Sequence, residues 1–320
     1  MQNFWKKLNK PFVCLAPMAD ITDVAFREIL AKYGKPDVMW TEFVSCDGLC
    51  SVGKNNILPD LKYFNKERPI VVQIFGSKPD NMTKTARLIK KMGFDGIDIN
   101  MGCPDRSIEK QGAGAALMKN PALAKELILA VKKGADGLPV SVKTRLGYNH
   151  IDTKHWVENL LSAQPAVITL HLRTRKEMSK AEPHWDEIKI AVQLAKKTNT
   201  LIIANGDIKS IAQAKAMAEK YSLAGTMIGR AAIGNPWVFN QNNFDIDLPK
   251  KIKVMLEHAK LFEKYNKNKK KFLIMRKHMN AYLKGMDNMK PLRMELMKTT
   301  NFKEAKQKIK DYFNHNAVLF

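Results

Sequence analysis

Three side chains stand where packing alone would not choose them. Cys103 lies in DINMGCPD, residues 98 to 105, between Gly102 and Pro104. The preceding GIDINMG alternates, with Ile97, Ile99 and Met101 on one face and Asp98 and Asn100 on the other, which is the period of a strand. Cys103 is the first residue past it, either a packed small hydrophobe, the commonest fate of a free cysteine, or a thiol held by a glycine–proline elbow for chemistry. Lys143 interrupts the apolar VSVKTRLG. A buried ammonium is costly unless something anionic faces it; an ion pair with Asp98 would serve, and so would a reduced flavin ring, negative near N1 and O2. His171, in AVITLHLRTR, is either a satisfied core histidine or a ligand-binding one.

These residues need elements to position them. Eight β-rich segments recur, beginning at Phe12, Val38, Ile70, Gly96, Val140, Ala166, Leu201 and Gly225, with amphipathic stretches such as 81–92 and 120–133 between them. Alternating strand and helix implies a parallel sheet with right-handed crossovers. Eight such units in about 240 residues is the measure of a TIM barrel, and no G-x-G-x-x-G follows the first strand to favour an open doubly wound sheet. Catalytic residues in a barrel sit at the C-terminal strand ends. There the sequence places Met18, Gln73, Asn100, Cys103, Lys143, Arg145, His171, Arg173, Asn205, Gly206, Asp207, Gly229 and Arg230. Five of the ten arginines (Arg106, Arg145, Arg173, Arg175, Arg230) lie at or just past strand ends, as a convergent cationic pocket requires. ANGD and IGRAA, on the last two strands, offer glycines and an arginine for a phosphate.

After GNPWVF the strand signal stops. NQNNFDIDLP reads as a linker, and residues 248 to 320 show helical periodicity only, the mark of a small helical bundle, with Pro291 between two of its helices. The expected organisation is a (β/α)8 TIM barrel over residues 1–240 followed by an all-helical C-terminal domain over 241–320.

The net charge is +23, and residues 244 to 320 carry +11 of it (19 Lys and Arg against 8 Asp and Glu). Such a balance predicts attraction to a polyanion, although 44 of the 54 basic residues are lysine and part of the excess is compositional. YNKNKKKF, residues 265 to 272, is the densest run. No apolar run approaches the roughly 20 residues of a membrane helix, and the N-terminus lacks a signal-peptide pattern. Four irregularly spaced cysteines read as reduced thiols, without metal-ligand spacing. The expectation is a soluble cytoplasmic monomer with no metal.

Together APMADITDVAFR, VVQIFGS, DINMGCP, GAGAALM, VKTRLG, IANGDI and MIGRAAIGNPWVF, in order over about residues 11 to 240, resemble the tRNA-dihydrouridine synthase family. MRKHMNAYLKG, residues 275 to 285, resembles a stretch of that family's helical domain. The resemblance implies an FMN enzyme that reduces uridine in tRNA with NADPH. Carried onto this sequence, Pro17, Met18, Ala19 and Gln73 would line the flavin, Lys143 would face its N1 and O2, and His171 would hold it. Asn205, Gly206, Asp207, Gly229 and Arg230 would bind its phosphate. Asn100 and Arg145 would approach the substrate base, Arg106, Arg173, Arg276 and Lys277 would contact tRNA, and Cys103 would donate the proton. Two other classes stand beside this one: an FMN barrel acting on a free small molecule, of dihydroorotate or old-yellow type, which would not need a basic tail, and an RNA-binding module that uses the barrel as a scaffold.

Overall fold

The computed structural model describes residues 3–240, 246–266 and 269–315. Eight parallel strands, β1 (Phe12–Leu15), β2 (Met39–Ser45), β3 (Ile70–Phe75), β4 (Gly96–Met101), β5 (Val140–Arg145), β6 (Val167–His171), β7 (Leu201–Asn205) and β8 (Gly225–Ile228), pair in sequence order, with β1 also beside β8. A backbone bond from Leu15 N–H to the Val38 carbonyl, 3.0 Å, joins β1 to the start of β2 and closes the barrel. The fold is a TIM barrel followed by C-terminal helices, as the alternation of strand and helix requires.

Strand alternation divides the side chains between two environments. Ile97, Ile99 and Met101 pack outward with helical residues such as Met82, Ala86 and Ile89 of Pro79–Lys91 and Leu127, Ile128 and Val131 of Pro121–Ala135. Inside the barrel, Phe12, Cys14, Trp40, Val71, Val167, Ile203 and Met227 form a second apolar cluster, and Trp5 plugs the N-terminal end with its ring 5.5 Å from Phe12 and 5.7 Å from Trp40. Above that plug the interior turns polar, with Gln73, Asp98, Ser141 and Thr169 all buried. The barrel is apolar at its floor and polar toward the C-terminal strand ends, where chemistry needs the polar groups.

The helices Leu248–Asn266, Leu273–Tyr282, Lys290–Leu296 and Phe302–His315 gather around Met255, Phe262, Met275, Met279, Leu292, Leu296 and Ile309. Ala25, Ile29 and Trp237 of the barrel belong to the same cluster, so the bundle is docked by a continuous apolar seam. Part of the expected linker lies in 241–245, outside the described residues, and its last two residues, Leu248 and Pro249, already open a helix. Pro291 stands in the first turn of its helix, where its missing N–H costs nothing.

The MRKHMNAYLKG stretch serves this seam. His278 and Tyr282 are buried, the His278 ring lying 5.3 Å from Phe26, and a side chain on Gly234 (φ +70°) would meet the Ala281 carbonyl carbon at 2.4 Å. Arg276, expected to reach tRNA, donates instead to the Thr299 and Lys298 carbonyls at 3.0 and 3.2 Å and ties the helix Leu273–Tyr282 to the turn that follows Lys290–Leu296. Lys277 is exposed.

The lysine run also divides. Lys269 and Lys271 are exposed, but Lys270 is 17% exposed and pairs with Glu42 on β2 at 2.6 Å. Its neighbour Asn266 donates to Asp23, the cap of the helix Val24–Tyr33, at 3.0 Å. Lys270→Ala should therefore cost on the order of 2 kcal/mol in denaturant unfolding, by leaving the buried Glu42 carboxylate unpaired. Lys269→Ala with Lys271→Ala should leave stability unchanged and flatten the salt dependence of polyanion binding. Equal stability losses in the two variants would show that the Glu42 contact contributes nothing.

Candidate active site

The C-terminal strand ends enclose a cavity of about 790 Å³. Of the residues expected there, Pro17, Met18, Gln73, Asn100, Cys103, Lys143, Arg145, His171, Asn205, Gly206, Asp207, Gly229 and Arg230 line it. Ala19 is exposed and Arg106 opens the short helix Arg106–Glu109; neither lines the cavity. Arg173 is 1% exposed and spends its donors on protein: Nε on the Ala181 carbonyl at 2.6 Å, Nη1 on His171 Nε2 at 3.2 Å, and Nη2 on Asp207. It is an internal brace and is not placed to contact tRNA.

That brace fixes its neighbours. Arginine only donates, so His171 Nε2 must accept, and the imidazole proton sits on Nδ1. Burial, reinforced by Lys143, Arg145, Arg173 and Arg230, pushes the His171 pKa far down, and the ring is neutral. The Asp207 carboxylate receives both Arg173 and Arg230. Its side chain therefore aims Arg230 and offers no donor of its own to an anion. Asn205 donates to the Met227 carbonyl at 2.8 Å, joining the ends of β7 and β8.

Cys103 is half-buried, with its backbone held on three sides. Its N–H donates to Asn100 Oδ1 at 2.9 Å, and its carbonyl accepts from Ala115 N–H at 2.9 Å. Gly114 (φ +61°) lies against that carbonyl, where a Cβ would stand 2.8 Å from the oxygen, which explains the glycine of GAGAALM. Arg145 Nε donates to the Gly102 carbonyl at 2.7 Å while Nη1 reaches the Thr174 and Met178 carbonyls, so one guanidinium links the cysteine loop to the loop after β6. Burial raises the Cys103 pKa, and the group is a neutral thiol at physiological pH.

Lys143 is half-buried and makes no ion pair within 4 Å among the described residues. Burial and then Arg145 lower its pKa to about 8, against the opposing pull of Asp98. Asp98 itself is fully buried and pushed up to about 6. The structure does not hold the direct Lys143–Asp98 pair that the sequence allowed.

Sequence reasoning missed Phe43 at the end of β2, the Ser179–Trp185 segment and Lys209 with Gln213. Trp185 stacks on Tyr221 at 5.6 Å, and the His184 N–H bonds the Leu172 carbonyl at 2.8 Å, which folds this segment over one side of the cavity. Leu172 is packed in the strand–helix core. Proline and tryptophan late in a long βα loop were the available signal.

A family model described as dihydrouridine synthase matches residues 14–317. The chain belongs to that family. It is 39% identical over 316 residues to a protein of Staphylococcus aureus strain MRSA252 named "Probable tRNA-dihydrouridine synthase", covering 97% of this chain and 96% of that one. It is 37% identical over 316 residues to "Probable tRNA-dihydrouridine synthase 2" of Bacillus subtilis strain 168, covering 97% of each. Solved structures at 12–13% identity share the fold alone: histamine dehydrogenase from Rhizobium sp. 4-9 (TM-score 0.53, covering 78% of this chain and 48% of that one) and a 6-hydroxypseudooxynicotine amine oxidase from Pseudomonas geniculata N1 (TM-score 0.55, 78% and 50%).

For a dihydrouridine synthase the donor set is apt. A cation without an ion pair among the described residues, a neutral histidine and two buried amides suit a planar ring rich in carbonyls, and Arg230 with Gly206 and Gly229 suits a phosphate at the β7–β8 end. The residues present fit FMN.

Proposed function

We propose that this protein reduces the C5=C6 bond of uridine in tRNA, holding FMN in the cavity and taking its electrons from NADPH. One observation carries the reading: the neutral Cys103 thiol, the Lys143 ammonium and the Arg230 end of the β7–β8 loops line a single cavity. Lys143 and Gln73 would hold the ring system, the His171 Nδ1–H would donate to it, and Arg230 would bind the phosphate. FMN supplies, when bound, the hydride that uracil C6 receives. Charge then develops across C5 and O4 of the base, and Cys103 neutralises it by giving its proton to C5. Asn100 and Arg145 orient the base beside the thiol, and the exposed lysines of the bundle bind phosphates of the tRNA.

A base inside a stem cannot enter such a cavity, so the target uridine must be turned out of its stack. Dihydrouridine mapped in tRNA from cells with and without the gene tests the proposal. One or more positions should lose the modification in the deletion and regain it on complementation. Unchanged tRNA, or purified protein without flavin absorbance and unable to take up FMN, would sink the reading.

A further inference from the structure

Asp98 has no place in the chemistry above, yet it anchors a chain of hydrogen bonds that ends at the catalytic loop. Asp98 Oδ1 accepts from Ser141 Oγ at 2.5 Å and Oδ2 accepts from Gln73 Nε2 at 2.6 Å. Gln73 Oε1 then accepts from Asn100 Nδ2 at 3.0 Å. Asn100 Oδ1 accepts in turn from the N–H groups of Gly102, at 3.1 Å, and Cys103, at 2.9 Å. Asp98 is 0% exposed and Ser141 1%, and neither lines the cavity, so no bulk water substitutes for a missing partner at this end of the chain of bonds.

An ionised carboxylate only accepts, and two backbone N–H groups only donate. Between these fixed ends each amide has one permitted orientation: reversing Gln73 would aim its carbonyl oxygen at the carboxylate and its N–H at another N–H. We infer that Asp98 is a positioning residue, which sets the polarity of the Gln73–Asn100 relay so that both amides keep an N–H free for ligand carbonyls and Asn100 keeps its oxygen on the Cys103 loop. The assignment of ligand carbonyls rests on the function proposed above. The hold on the loop does not.

The register explains why β4 supplies this residue. Asp98 lies opposite Gln73 on β3 and Ser141 on β5, and Asn100 lies opposite Lys143. All of them belong to the inward set of their strands, above the apolar floor. A hydrophobic residue at 98 would extend the floor and leave Gln73 without its acceptor.

The test uses isosteric changes whose effects should not add. In Asp98→Asn the new amide can turn its oxygen to Gln73 and give its N–H to Ser141 Oγ, whose own proton has the Ile97 carbonyl 3.5 Å away. In Ser141→Ala the carboxylate still accepts from Gln73. Combined, the two changes leave the N–H of the introduced amide without an acceptor except by reversing the relay. Amide exchange at Gly102 and Cys103 reads the loop in flavin-loaded protein without any tRNA. Each single variant should stay within about threefold of wild type, and the double should lose at least about tenfold in protection and in FMN affinity, a buried donor having lost its partner. Exchange in β7 should stay constant. A double variant equal to the product of the singles, or Asp98→Asn alone as damaged as the double, overturns the inference. If the double fails to fold, Gln73→Leu cuts the relay in the middle: the Cys103 and Gly102 amides should then lose protection, and retained protection overturns it. Should wild type show the exchange pattern but reduce no tRNA, only the proposed function falls.

Discussion

Cys103→Ala should retain FMN and accept hydride from NADPH at close to the wild-type rate, while uridine reduction in tRNA falls by about 10²–10⁴-fold, the usual contribution of a positioned general acid. The separation of the two half-reactions follows from where the thiol sits. Its loop is fixed by Asn100, Ala115 and Arg145 through backbone atoms, so removing Sγ leaves the scaffold in place. Burial raises the thiol pKa, which keeps the acid loaded through neutral pH. The wild-type oxidative half-reaction should therefore decline only at alkaline pH, as the proton is lost. Stopped-flow measurement of each half-reaction decides the matter, and a mutant that reduces tRNA at the wild-type rate would remove Cys103 from the chemistry.

Lys143→Met should slow flavin reduction by NADPH by about 10²-fold, the scale of losing one preorganised charge from an active site, and should make the flavin harder to reduce. The ammonium is the form that burial disfavours, and it is lost as pH rises through about 8. A flavin facing the ammonium favours the charged form, so wild-type reduction should slow only above that range, whereas the mutant profile stays flat. The stability of flavin-free protein gives the opposite sign. Because the folded pKa lies below the ordinary lysine value, the unfolded chain binds more protons between pH about 8 and about 10.5, and stability contributed by this group rises across that window. Lys143→Met should abolish the rise and, below pH about 8, stabilise the flavin-free fold. An unchanged flavin potential would mark the lysine as structural.

Arg276 and Lys270 illustrate what a basic residue does not reveal on its own. Both lie in segments whose charge promised phosphate contacts, and both are committed within the protein: Arg276 to the Thr299 and Lys298 carbonyls, Lys270 to Glu42. The net charge predicts a polyanion partner, but charge is a property of the whole surface, whereas a contact is decided by which partners the folded chain brings within reach of the side chain. Lys269, Lys277 and Lys303 remain exposed. Arg173, placed correctly at a strand end, is likewise turned inward by the Asp207 carboxylate and the Ala181 carbonyl.

The order and kind of the elements follow from local information. Period-two alternation in GIDINMG, apolar spacing in the helices and the Gly114 and Pro104 positions are written within a few residues of one another, and eight such units can close in only a few ways. The inward placement of Gln73, Asn100, Lys143 and His171 follows from the same alternation once the barrel is granted. Partnership does not follow. Asp98 could have paired with Lys143, as residue types alone allowed, but the register sets it opposite Gln73 and Ser141, which take its two oxygens, and leaves Lys143 without an ion pair among the described residues. Hydrogen bonds between strands depend on side-chain reach and on fractions of an ångström across segments 25 to 43 residues apart. Only the closed barrel sets those distances.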